Sequence, residues 1–252
     1  MIIYKSPDEI EKMRRSGRIT AATIDRVLAA VRPGVTTADL DAVAEASIRE
    51  QGGVPNFKGY RGFPASICAS LNNEIVHGIP STQRVLREGD LLSLDFGAIW
   101  EGYHADSAVT MFVGDAPASA EAEKLVRVTE EALEAGIAQI RPGARIGDIS
   151  SAVQQRAEAA GFSVVREYVG HGIGRAMHED PQIPNYGAPG RGPELRPGLV
   201  VAVEPMVNAG GWETAVLADD WTVVTLDGSL SAHFEHTIAV TDDGHEVLTA
   251  RR

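Results

Sequence analysis

An α+β fold made of two like halves, each a helix pair packed on antiparallel strands, is what this sequence predicts. Three observations carry that expectation. A helix, an Arg-Pro-Gly turn, a second helix and a glycine follow one another twice. The copies match at one constant offset: Arg32-Pro33-Gly34 on Arg141-Pro142-Gly143, Leu28 on Ile137, Asp39 on Asp148 and Gly52 on Gly161. Strand-like sequence follows each copy. The halves cover roughly 6–113 and 115–248 of a single domain, for which 252 residues at 44% hydrophobic supply a sizeable core.

Each element has its own signal. Ser6-Pro7-Asp8-Glu9 opens the first helix: Ser6 caps it, Pro7 takes the first helical position and Glu9 completes a capping box. Ile10, Met13, Ile24, Val27, Leu28 and Val31 recur near a helical period until Pro33-Gly34 stops the run. A second helix runs from about Thr37 to Gln51 and is ended by Gly52. In the second half, 119–141 reads as helix up to the Arg-Pro-Gly turn, and Asp148 to Ala160 as the helix that Gly161 ends. Strand-like sequence spans Ala65 to Leu71 and Asp90 to Val113 after the first pair, and Ser163 to Val169 and Gly198 to Leu248 after the second. Pockets tend to form between such halves.

Composition excludes several classes. The formal net charge of -12, from 35 acidic and 23 basic residues, has the wrong sign for a protein that grips phosphates, so no nucleic-acid partner is expected. The opening MIIYKSPDEIEKMRRSG turns charged at once, and no apolar run is long enough to cross a bilayer, which argues against secretion and a membrane partner. Cys68 is the one cysteine, so neither an intrachain disulfide nor a cysteine-rich zinc module can form, and a reducing cytoplasm is the expected setting.

Chemistry first shows in LLSLDFGAIWEGYHADSAVTMFVG. Leu92, Leu94, Phe96 and Ala98 alternate with Ser93, Asp95 and Gly97, as in a strand with one buried face. A hairpin across a four-residue loop, Ile99 to Gly102, sets Asp95 directly opposite Asp106, and any even-numbered loop leaves both on one face. Like charges so placed repel unless a cation intervenes. Taken alone, the pair is better explained by solvated aspartates or an odd-numbered loop. Glu204 in GLVVAVEPMVNAG and Glu235 in SAHFEHTIAV are single acids in apolar, strand-like runs. Burying such an acid costs several kcal/mol unless it is paired or metal-bound, although a structural salt bridge would also serve. With His171 these make four carboxylates and one imidazole, a donor set suited to a pair of divalent first-row cations.

In REYVGHGIGRAMHEDP, His171 and His178 stand seven positions apart among glycines. A helical metal pair would stand four apart, so the stretch reads as an extended run followed by a loop, and the histidines need not share one role.

The order D-x10-D, GHGIG, VEP and FEHT resembles the pita-bread metallopeptidases, and NNEIVHGIP narrows the resemblance to the methionine aminopeptidases. It covers nearly the whole chain. Only the short stretch from Glu179 to Val203 separates His178 from Glu204, without the long helical insertion of type II enzymes, and the chain opens directly at the first helix. It is thus similar to a short bacterial type I enzyme. The resemblance implies a monomer, near the ribosome, that releases N-terminal methionine from nascent polypeptides with a small second residue.

Carried onto this chain, it makes Asp95, Asp106, His171, Glu204 and Glu235 the ligands of two divalent metal ions, with Asp106 and Glu235 bridging. Supply rather than sequence chooses among manganese, iron, cobalt, nickel and zinc. A hydroxide activated between the ions would attack the scissile carbonyl while His178 stabilises the oxyanion, Glu204 shuttles the proton and His77 contacts the substrate near the scissile nitrogen. The methionine slot would be walled by Phe57, Tyr60, Phe63, Cys68, Met177 and Trp221, where aromatic faces and sulfur suit a thioether. Met177 departs from the phenylalanine of many relatives. His104 shares a face with Asp106, and His233 with Glu235, while His236 alternates away; these three and His245 are expected behind the ligands or at the surface. Two rivals remain: a proline-specific aminopeptidase or dipeptidase of the same fold, which would carry an additional N-terminal domain, and a non-catalytic peptide-binding member, which would have lost ligands.

Overall fold

The computed structural model describes residues 1–115, 117 and 119–251. Helix α1 (Pro7–Leu28) starts on the expected capping box, Ser6 Oγ accepting the Glu9 amide at 3.4 Å and Glu9 Oε2 the Ser6 amide at 2.9 Å. Helix α2 (Thr37–Glu50) is capped likewise by Thr36 and Asp39. Helices α3 (Ala120–Ile137) and α4 (Ile146–Ala159) form the second pair. Both α1 and α3 stop short of their Arg-Pro-Gly turns. The amides of Ala30 and Val31 reach back only to Val27 and Leu28, and those of Gln139 and Ile140 to Gly136 and Ile137. The last turn therefore tightens, and Val31 falls outside the helix. Gly34 and Gly143 follow with φ of 88° and 86°, which a Cβ would make costly. Their amides bond Leu86 and Leu195 carbonyls at 2.9 and 3.0 Å.

Between the helix pairs lie β1 (Val54–Pro55), β2 (Ile67–Leu71), β3 (Glu74–Val76), β4 (Leu91–Trp100) and β5 (Tyr103–Phe112). After α4 the strands are short: β6 (Ser163–Val164), β7 (Gly170–Gly172), β8 (Glu179–Ile183), β9 (Val200–Val203), β10 (Met206–Asn208), β11 (Thr214–Val216), β12 (Val223–Thr225), β13 (Ser231–His233), β14 (His236–Val240) and β15 (His245–Val247). Strand β4 pairs with β1, β2 and β5, and a second sheet has the order β15-β14-β9-β7-β8. The strand expected over Ser163–Val169 is interrupted because the chain changes sheets there: β6 pairs with β10, whereas β7 pairs with β8 and β9.

The β4–β5 hairpin corrects one expectation. Glu101 and Gly102 alone make the turn, both left-handed with φ of 49° and 79°, the two-residue form whose twist suits antiparallel strands. The register moves with the shorter loop: Asp106 faces Gly97, and Asp95 faces Ala108. Because the loop is still even, both aspartates project from one face, one diagonal step apart.

The opposite faces of the sheets make the core. Leu92, Leu94 and Phe96 pack with Ile24, Val27 and Leu40 of the first helix pair and with Leu133, Ile137 and Ile149 of the second, together with Val201, Val203, Ile238 and Val240. Each such burial contributes about 1.5–3 kcal/mol. With the helices covering that side, the acid-bearing faces of β4, β5 and β9 are turned toward one another. No helix among the described residues is long and apolar enough to cross a membrane.

Candidate metal centre

Five separate stretches deliver the ligand-type side chains. Asp95 comes from β4 and Asp106 from β5. His171 is the middle residue of β7 and lies opposite Ala202, so it shares a face with Glu204, which follows β9 just before Pro205. Glu235 sits in the break between β13 and β14, where it exchanges backbone bonds with Ala108 at 3.0 and 3.3 Å. Hydroxyls extend this seam. Thr237 Oγ1 accepts the Asp106 amide at 2.9 Å and donates to the Asp106 carbonyl at 2.7 Å, and Ser107 Oγ donates to the Glu235 carbonyl at 2.7 Å. The seam brings Asp106 beside Glu235: one donor atom each of Asp106, His171 and Glu235 lies within 4.8 Å of the other two. His171 Nε2 is 3.4 Å from Glu204 Oε1.

Glycines in GHGIG serve close approach. A Cβ on Gly170 would stand 2.4 Å from the Ala202 carbonyl oxygen, and one on Gly172 2.1 Å from that of Asp180. Strand β7 can lie between β8 and β9, with His171 aimed inward, only because its neighbours lack side chains. Gly172→Ala is expected to destabilise by about 1–3 kcal/mol through this clash with backbone, lowering the thermal midpoint by roughly 2–4 °C per kcal/mol, as differential scanning calorimetry would read.

Burial governs the electrostatics. It raises Asp95 to about 7, and lifts Asp106, Glu204 and Glu235 well above the ordinary carboxylate range, the charges of neighbouring acids adding to it. Asp95 Oδ1 and Asp106 Oδ1 are buried without a hydrogen-bond partner. His171 is pushed down to about 3 by burial and by His178, and is held as the neutral imidazole that a metal requires. Crowded acids with orphaned oxygens beside a neutral imidazole fit divalent cations: opposite charge cancels the repulsion and satisfies the free lone pairs.

Above these groups is a cavity of about 280 Å³. Phe57, Tyr60, Phe63, Cys68, His77, Asp95, Asp106, His171, Met177, His178, Glu204, Trp221 and Glu235 all line it, which are the residues singled out by sequence. Its apolar end packs Phe57, Phe63, Cys68 and Met177 with Ile79 and Trp221, the Phe63 and Trp221 rings meeting edge to face at 5.1 Å. His178 stands over His171 with ring centroids 4.2 Å apart, and its Nδ1 is 2.9 Å from the Tyr60 hydroxyl. His77 adopts a left-handed φ of 63°, a strained conformation for a non-glycine residue, and burial lowers it to about 4.

Sequence reasoning missed three residues here. Arg61 and Tyr168 line the cavity, and Ile79 packs against its apolar wall. Arg61 lies in a tight turn at φ 48° that its sequence does not announce, whereas Ile79, two residues beyond His77 in the HGIP motif, was within reach. His233 is buried behind the site, its Nε2 3.8 Å from Glu204 Oε2. Alternation with Glu235 had signalled its direction. His236 turns away to Thr249 Oγ1 at 2.9 Å, and His245 bonds the Ile140 carbonyl at 2.9 Å.

Carboxylates and an imidazole gathered beside an apolar cavity are the donor set of a metal-dependent hydrolase. The chain belongs to metallopeptidase family M24, whose family model matches residues 11–242. It is similar to Methionine aminopeptidase 1 of Bacillus subtilis, 54% identical over 249 residues that cover 99% of each chain. A solved methionine aminopeptidase from Thermotoga maritima superposes with a TM-score of 0.97 at 47% identity, covering 100% of both chains. The prolidase from Pyrococcus furiosus shares the fold alone, with a TM-score of 0.81 at 21% identity over 99% of this chain and 66% of that one. The fold is the pita-bread fold that the motifs imply.

Proposed function

We propose that the protein removes N-terminal methionine from peptides and newly made polypeptides with a small second residue, in the cytoplasm, as a monomer. The observation that carries this reading is the joining, in one cavity, of an aromatic and sulfur-lined end with a buried acid and imidazole cluster. The relatives similar over the full chain bear the name methionine aminopeptidase, which supports methionine over proline as the residue released. We read the chain as one catalytic unit of two halves, because Asp95 and Asp106 come from the first and His171, Glu204 and Glu235 from the second.

Asp95, Asp106, His171, Glu204 and Glu235 would hold two divalent cations. Bound there, the cations supply Lewis acidity and an activated water near neutral pH. The chain does the rest. Phe57, Phe63, Cys68, Met177 and Trp221 hold the thioether side chain and exclude water from it. The cavity walls, with Arg61, keep the His178 pKa below its ordinary value. The Tyr60 hydroxyl lies 2.9 Å from His178 Nδ1; we assign the tautomer in which Tyr60 donates there, so that neutral His178 carries its proton on Nε2 and can donate it to the developing oxyanion. Glu204 carries a proton to the leaving amine, and His77 contacts the substrate beside the scissile nitrogen.

Met-Ala-Ser, Ala-Pro and Gly-Pro peptides, each assayed with divalent metal and with a chelator, test the reading. Release of methionine, abolished by the chelator and without cleavage of the proline peptides, is expected; preference for the proline peptides overturns it. His178→Ala should keep its metals in elemental analysis while kcat falls about 10²- to 10³-fold, the usual cost of an oxyanion donor. Full turnover in that variant would remove His178 from the mechanism.

A further inference from the structure

One buried ion pair stands directly behind the loop that carries His178. Lys5 Nζ lies 2.8 Å from Glu179 Oε2, with side-chain exposures of 2% and 6%. Every other lysine or arginine pair found among the described residues leaves both partners at least 17% exposed. Removing two charges from water is a weak source of stability, because desolvation offsets their attraction. A pair this deep is better understood through what it holds in place.

Its surroundings identify that object. The Lys5 amide bonds the Gly198 carbonyl at 2.7 Å, and Nζ also donates to the Ile3 carbonyl at 3.1 Å, so the lysine is fixed at both ends. Glu179 Oε1 accepts the Ala176 amide at 3.2 Å, and the Gly174 amide bonds the Ala176 carbonyl at 3.1 Å. Both side chains press on Gly174, where a Cβ would stand 2.5 Å from Lys5 Cε and 2.7 Å from Glu179 Oε1. From the other side the His104 amide bonds the Gly174 carbonyl at 2.8 Å. Loop 174–179 is thus tied internally by Glu179 and pinned from outside by Lys5. His178 is the residue before Glu179, and Lys5 does not line the cavity.

We propose that Lys5 is a positioning residue: through Glu179 it fixes loop 174–179 and so holds the His178 imidazole in register with the scissile carbonyl. This rests on the role given to His178 above. Displacing a reacting group by about 1 Å costs on the order of 10²-fold in rate, so a loosened loop would reduce turnover without removing any group from the site.

Leaving one buried charge unpaired could unfold the chain, so the main variant is Lys5→Met/Glu179→Gln, which removes both charges and keeps an acceptor for the Ala176 amide. In the metal-loaded protein, kcat on Met-Ala-Ser should fall about 10- to 100-fold, with KM within about twofold and metal content unchanged. Lys5→Arg keeps the charge but sets a planar guanidinium where an ammonium fits, so kcat should fall between wild type and the double variant. In the zinc-loaded, ¹⁵N-histidine-labelled protein, the ring signal missing from His178→Ala should shift in the double variant. The deciding comparison places the double change in a His178→Ala background, where it should cost less than about twofold, because positioning a group that is gone has no further effect. An equal loss in both backgrounds, or wild-type kcat in the double variant, overturns the role of Lys5 while leaving the activity intact. A wild-type protein that does not release methionine overturns the proposed function, and this inference with it.

Discussion

Asp106→Asn is expected to lose metal and turnover together. Asp106 is 4% exposed, its Oδ1 has no partner, and the charges of Asp95 and Glu204 bear on it. Asparagine keeps the shape and cannot ionise, so the apoprotein should fold about as well as wild type at neutral pH and better on the alkaline side, where Asp106 would carry a buried charge. Metal binding should suffer far more. Loss of a group that merely orients a ligand costs about 10- to 100-fold in affinity; loss of an anionic donor placed between Asp95 and Glu235 should exceed that. kcat/KM on Met-Ala-Ser should drop by at least about 10³-fold at any accessible manganese concentration. Elemental analysis, calorimetric metal titration and the kinetics decide it. Full metal content with lost turnover would move Asp106 from holding cations to the chemistry itself.

The contrast with His178→Ala matters because the two residues were legible for different reasons. Strand alternation has period two, so Asp95 and Asp106 share a face for any even-numbered loop, although the sequence left that parity open. The loop itself could not be read, because Glu101 takes a left-handed φ that its side chain does not advertise. The ends of α1 and α3 were overrun for a related reason: Arg-Pro-Gly marks where a helix must have ended, whereas the tightened turns at Ala30–Val31 and Gln139–Ile140 come earlier. Position 235 is the opposite case. Its acid stood out in an apolar run, yet β13 and β14 break on either side of it, and it is held through Ala108 and Ser107 of β5. Such contacts between distant stretches leave no periodic trace. Lys5 and Glu179 are the extreme example: each looks like an ordinary surface charge in sequence, and only the close approach over Gly174 makes them a pair.

Chelated apoprotein is expected to lose stability as the pH rises through and above about 7, and divalent cations to abolish that loss. In the fold, burial keeps a proton on Asp95 up to about 7 and raises Asp106, Glu204 and Glu235 well above the ordinary carboxylate range; in the unfolded chain such groups ionise near 4. The fold then binds more protons than the unfolded chain, so these acids contribute stability that is complete below about pH 4 and is lost as pH climbs through their folded values. Buried histidines act in the other direction. His171 and His233 are lowered to about 3, and His77, His104 and His236 to about 4. Their contribution is present above the ordinary histidine value, about 6.5, and is lost as pH falls through the folded values. Above neutrality they no longer differ between fold and unfolded chain, and the carboxylates set the slope, joined toward pH 9 by the buried Cys68 thiol, which burial also raises. The apoprotein should therefore be most stable near neutral pH and fall away on the alkaline side. Cations bind the ionised acids, so their stabilisation should grow over the same range. At pH 8 and a hundredfold excess over Kd it should amount to about 2.7 kcal/mol, or roughly 5–11 °C in Tm. Melting curves from pH 7 to 9, with chelator and with manganese, measure it directly. An apoprotein Tm that stays level or rises over that interval would mean the four acids are already ionised and balanced by something other than a metal.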